Sequence, residues 1–135
     1  MTSVLGEVPQ ELPALSRATR ISENAAAVGF DWTSIADIRA KIAEELAELD
    51  AALADSGHTA SAHVVEEFGD LLVALVNLSR HLKIDAEGAL KAASTKFERR
   101  FRHMEALAAA QGKALESLSA AQWDALWREA KRAGV

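Results

Sequence analysis

Both prolines of this chain, Pro9 and Pro13, fall before residue 14, so from Ala14 to Val135 no position lacks a backbone amide or has its φ locked by a ring. So long a stretch free of the residue that breaks helices predicts an all-α protein. At 135 residues the chain is within the range of one domain, taken as 1–135 with residues 1–10 fraying. Half of the residues are hydrophobic and 26% are charged, a globular balance. There is no cysteine, which removes disulfides, thiolate nucleophiles and cysteine-ligated metals. A net charge of −5 opposes neutralising nucleic-acid phosphates, so no nucleic-acid partner is expected. The opening Met1 to Glu7 has no basic stretch leading into an apolar run. The densest apolar segment, Leu71 to Leu82, is interrupted by Asn77, Ser79, Arg80 and His81 and is too short to span a bilayer. The expectation is a cytoplasmic protein with no membrane partner.

Hydrophobic spacing predicts five helices. Leu12, Leu15, Ala18, Ile21, Ala25 and Val28 recur at three- and four-residue steps and mark a first helix ending near Gly29. Ser34, with Asp37 three residues on, opens a second as an acidic capping box, with Ile35, Ile38, Ile42, Leu46, Leu49 and Leu53 as its buried stripe. The third follows Ser61 and is apolar nearly all round from Phe68 to Leu82, which places it centrally. The fourth starts after Asp85 with a stripe of Ala89, Leu90, Ala93, Phe97, Phe101, Met104, Leu107 and Ala108. The fifth starts at Ser119, boxed by Gln122, and carries Trp123, Leu126, Trp127 and Ala130. Short connections between such helices predict an antiparallel bundle.

Two of these helices carry matched acids. Glu45 and Glu48 lie three apart on the second helix, as do Glu67 and Asp70 on the third, so each helix offers two carboxylates on one face. In an antiparallel hairpin the pairs converge. Such spacing serves a solvated acidic face as well as a cation site. Asp70, however, borders the most apolar helix, where an uncompensated charge is costly. Four convergent carboxylates suit a hard divalent ion, Mg²⁺ first and Mn²⁺ after it.

A di-iron bundle needs Glu-x-x-His on two helices, and His58, His63, His81 and His103 all miss that spacing. They read as surface or loop histidines. Asn77 shares a face with Asp70 and serves either a substrate sugar or base edge, or an interhelical hydrogen bond. Lys96 and Arg100, four apart on the fourth helix, form a basic flank that suits phosphates or a solvated ion-paired face. No glycine-rich phosphate loop or Ser-His-Asp arrangement is present, leaving a metal-activated water as nucleophile.

Taken together, Glu45-x-x-Glu48, an 18-residue interval and Glu67-x-x-Asp70 resemble the signature of MazG-type nucleoside triphosphate pyrophosphohydrolases. Glu66-Glu67-Phe68-Gly69-Asp70-Leu71-Leu72, Val76-Asn77-Leu78-Ser79-Arg80-His81-Leu82 and Lys96-Phe97-Glu98-Arg99-Arg100-Phe101 are similar to its further motifs. Ala27-Val28-Gly29-Phe30-Asp31-Trp32 looks like its lead-in and Trp127-Arg128-Glu129-Ala130-Lys131 like its tail. The likeness is to the second domain of two-domain members. It implies an all-α enzyme that splits a nucleoside triphosphate to monophosphate and pyrophosphate with Mg²⁺, in nucleotide house-cleaning. By position it implies Glu45, Glu48, Glu67 and Asp70 as metal ligands, and Glu44 and Glu66 beside them as further ligands or the base for water, so that Glu44, Glu45 and Glu66 are the catalytic set. Lys96 and Arg100 would contact phosphates, and Trp127 and Lys131 would close over the nucleotide. It also implies a homodimer or homotetramer. The alternatives are a related helical pyrophosphatase for a pyrimidine deoxynucleotide or a phosphoribosyl substrate, and a non-catalytic assembly module.

Overall fold

The computed structural model describes residues 2–135, so Met1, part of the stretch expected to fray, lies outside them. Five α-helices form: α1 Ala14–Ala26, α2 Ile35–Asp55, α3 Ala62–His81, α4 Ala86–Ala110 and α5 Ala120–Arg132, with a 3-10 turn at Leu115–Ser117 and no strand among the described residues. The stretch before α1 is not helical, yet it is tied down, since Asn24 donates an amide hydrogen bond to the Leu5 carbonyl at 2.9 Å.

The starts of the helices follow their capping residues. Ser61 and Ser119 each accept a hydrogen bond from the amide three residues on, and Gln122 completes the box at Ser119. At α2 only half of the expected box is present. Ser34 Oγ accepts from the Asp37 amide, but the Asp37 carboxylate takes the Thr33 hydroxyl at 2.9 Å. An aspartate is one methylene shorter than the glutamate of a full box, and Thr33 offers it a nearer donor.

The end of α3 stores strain. Lys83 donates to the Arg80 carbonyl and Ile84 to the Ser79 carbonyl at 2.8 Å, a Schellman closure. It forces Lys83 to φ 59°, the left-handed region that favours glycine. Lys83→Gly is therefore expected to stabilise the fold by about 1 kcal/mol, read as a higher urea midpoint at unchanged slope.

Helix packing divides the chain into two compact units, Met1–Glu87 and Gly88–Val135. In the first, α2 and α3 pack as the dominant pair and α1 lies on α3. Leu49, Ala52 and Val64 form its buried cluster, flanked by Leu53 and Leu71. Residues near the end of α2 thus meet residues near the start of α3, which makes the pair antiparallel. In the second unit Met104 and Ala108 of α4 pack on Leu126 and Ala130 of α5.

Several residues placed in buried stripes are exposed. Ile35 and Leu46 on α2, Phe68, Leu72 and Leu75 on α3, and Leu90 and Phe97 on α4 all retain substantial solvent contact. Periodicity finds the apolar face of a helix, but whether the same chain covers that face depends on the packing of the others. Phe97, read as core-facing, is 59% exposed and instead leans on Trp127 at 5.7 Å between ring centroids.

Candidate metal centre

The antiparallel register of α2 and α3 brings three of the four expected acids together. Glu45, Glu67 and Asp70 each present a carboxylate oxygen within 4.8 Å of the other two. Glu45 is buried, Glu67 half-buried and Asp70 exposed, so the group runs from the hairpin interior to its surface. Glu45 Oε2 and Glu67 Oε2 are buried and have no hydrogen-bond partner. Like charges at this spacing repel by the order of a few kcal/mol, and an unsatisfied buried acceptor adds to the cost. Glu48 is exposed and outside that trio but feels it: the charge of Glu45 foremost, with that of Glu67 adding, pushes its carboxyl above the usual range. Hard oxygen donors that lack partners and raise a neighbour's proton affinity fit a divalent cation such as Mg²⁺ or Mn²⁺. No histidine joins the group among the described residues.

Glu44 and Glu66 are exposed and outside the cluster, and Glu44 pairs with Lys41 at 3.3 Å. Lys41 also reaches Glu45 at 3.0 Å. That bond first, and Glu44 second, hold its ammonium more firmly protonated than usual. Glu45 and Asp70 open onto a cleft of about 910 Å³ bounded by α1, α2, α3 and the Gly29–Trp32 connector. Glu45, Asp70, Lys41, Arg17 and Asn77 line it beside an apolar wall that includes Ile21, Ala25 and Trp32.

Sequence reasoning missed Arg17 and Lys41. Arg17 interrupts the apolar face of α1 between Ala14 and Ile21, and its Nε is buried without a partner. Lys41 stands four residues before Glu45, on the same helix face. A cation set into an apolar stripe and one a turn from an acid pair were the available signals. Two histidines are less plain than expected. His63 lies 3.8 Å from Glu67, and His81 Nε2 lies 2.9 Å from Asp31, which Arg80 also grips. The Arg80 guanidinium first, and His81 after it, hold the Asp31 carboxyl well below the usual carboxylate range.

The basic flank belongs to the second unit. Arg100 donates through Nε to the Val135 carbonyl at 2.7 Å and lies 5.2 Å from the centre of the Trp127 ring, so its guanidinium is already engaged there. Lys96 and Lys131 are exposed on α4 and α5.

A helical hairpin that gathers three carboxylates within 4.8 Å, two of them lining a cleft, defines an all-α protein with a candidate divalent-cation site. The MazG nucleotide pyrophosphohydrolase domain model matches residues 33–105. Over 130 residues the chain is 45% identical to the nucleoside triphosphate pyrophosphohydrolase/pyrophosphatase MazG of Thermotoga maritima and 42% identical to the nucleoside triphosphate pyrophosphohydrolase of Escherichia coli K12, covering 96% of this chain and 49% of each relative. An uncharacterized protein of Bacillus subtilis, YabN, is 42% identical over the same length, which is 26% of its own. The chain belongs to the MazG nucleotide pyrophosphohydrolase family. It spans about half the length of the first of these curated relatives.

Proposed function

We propose that this chain hydrolyses nucleoside triphosphates to nucleoside monophosphate and pyrophosphate, with Glu45, Glu48, Glu67 and Asp70 holding Mg²⁺, or Mn²⁺ in its place. The observation that carries this reading is the trio of carboxylates within 4.8 Å, two of them with orphaned buried oxygens, of which Glu45 and Asp70 line a nucleotide-sized cleft. When bound, the cation would offset the repulsion between a triphosphate and the acids and make water a better nucleophile.

The protein's own groups supply the rest. Lys41 and Arg17 place two cations at the cleft for phosphate oxygens, and Arg17 Nε needs a partner that the fold does not provide. The apolar wall of Ile21, Ala25 and Trp32 suits a nucleoside. Glu44 and Glu66 flank the acids and serve to take the proton of the attacking water. Clearing damaged nucleotides is the physiological purpose in this reading. The test is pyrophosphate release across canonical and modified triphosphates, with and without Mg²⁺. Turnover that ignores EDTA would sink it.

Assembly as a homodimer or homotetramer belongs to the same reading. Val65, Phe68, Leu72 and Leu75 are exposed along α3 at alternating three- and four-residue steps, and Leu82 follows one heptad after Leu75. That is the spacing of a helix seam, and a second copy presenting the same seam is the occupant it supports. Leu72→Lys with Leu75→Lys is expected to convert the assembly to single chains in sedimentation velocity. A wild-type protein that is already monomeric at tens of micromolar would count against assembly.

No helix of the described residues is long and apolar enough to cross a membrane.

A further inference from the structure

Asn77 lines the cleft, and its hydrogen bonds favour one orientation of its amide. Arg80 has only donors to offer. Its Nε donates to Ser22 Oγ at 2.8 Å, and the Ser22 hydroxyl in turn donates to Asn77 Oδ1 at 2.5 Å. Arg80 Nη2 also points a hydrogen at Asn77 Oδ1, at 3.4 Å. Turning the amide over would set its NH₂ against the Arg80 Nη2 donor and remove the oxygen that the Ser22 hydroxyl now donates to. Arg80 is itself immobilised, since both oxygens of Asp31 take its two terminal nitrogens and His81 takes the same carboxylate. The oxygen of Asn77 is therefore spent inside the protein. Its two amide hydrogens have no partner among the described residues.

We infer that Asn77 reads the nucleoside half of the substrate as a fixed donor, selecting a hydrogen-bond acceptor there, and that Arg80, clamped by Asp31, is the positioning residue that fixes this polarity. The inference rests on the triphosphate reading above. The acceptor is a keto oxygen or ring nitrogen of the base, or a hydroxyl oxygen of the sugar. A substrate with an amino group at that point meets donor against donor.

Asn77→Asp tests the polarity without dismantling the network, because an aspartate still accepts from Ser22 and Arg80 while offering no hydrogen to the cleft. Pyrophosphate release is measured for wild type, N77D and Arg80→Met with triphosphate pairs that differ only in a keto or amino group, and with 2′- and 3′-deoxy sugars. N77D is expected to lower kcat/KM about tenfold, chiefly through KM, at an unchanged or higher melting temperature. Whichever series loses its discrimination in N77D, base pair or sugar, names the acceptor. R80M should lose the same discrimination without the same loss of turnover, because a freed amide can turn to suit either partner. A merely structural role for Arg80 would instead lower activity on all substrates alike. Wild-type KM values in N77D across the panel would overturn the inference and leave the hydrolytic reading standing. A wild-type protein inactive on every triphosphate would bring down both.

Discussion

Glu45→Gln and Asp70→Asn are each expected to cut pyrophosphate release by at least about a hundredfold while leaving the protein folded. The reason is local. Glu45 supplies an orphaned buried oxygen on α2 and Asp70 the exposed end of the same trio on α3, so either change removes a charged donor from a group that lies within 4.8 Å. The amides preserve volume. In the first variant the new side-chain carbonyl still accepts from Lys41, and in the second the exchange falls at the surface, so far-UV circular dichroism should be unchanged. Mg²⁺ should raise the melting temperature of the wild type and leave that of both variants nearly still, since a ligand stabilises only the state that binds it. Near-wild-type turnover in either variant would remove the trio from the chemistry.

The second large effect runs in the opposite direction. Glu67→Gln should raise the melting temperature of the metal-free protein by about 3 °C while it lowers activity. Glu67 Oε2 is buried and unpartnered beside Glu45, and its charge adds to that of Glu45 in raising the Glu48 carboxyl. A neutral amide relieves that repulsion. The pH dependence follows. An acid whose proton affinity rises on folding makes the folded state bind more protons than the unfolded one, so its contribution to stability falls as pH rises out of the acid range. Without Mg²⁺ the wild type should lose stability along that path, and Glu67→Gln should lose less. Thermal melts in EDTA from pH 4.5 to 7.5 check both points, and a variant less stable than wild type throughout would refute the repulsion.

Much of the helix layout was legible because its signals are short-range. Ser61 and Ser119 cap their helices through contacts three residues on, and Glu45, Glu48, Glu67 and Asp70 are paired by the helical repeat itself. What escaped depends on contacts between elements. Arg17 gains meaning only when α1 is laid along the cleft, and the Asn77 amide only when Ser22 and Arg80 surround its oxygen. Phe68, Leu72 and Leu75 look like core in a string of letters because spacing records that a face is apolar and says nothing of whether this chain covers it. Arg100 shows the converse: a cation suited to phosphate by spacing has its guanidinium held by the Val135 carbonyl and the Trp127 ring.

The Asp31 clamp also sets an order of events in acid. Glu48, crowded by its neighbours, takes a proton early on the way down, while Asp31, gripped by Arg80, is among the last carboxylates to surrender its charge. Acidification therefore neutralises the carboxylate beside the trio while Asp31 still holds Arg80 and His81, so the aromatic connector keeps its anchor after the acids have begun to discharge.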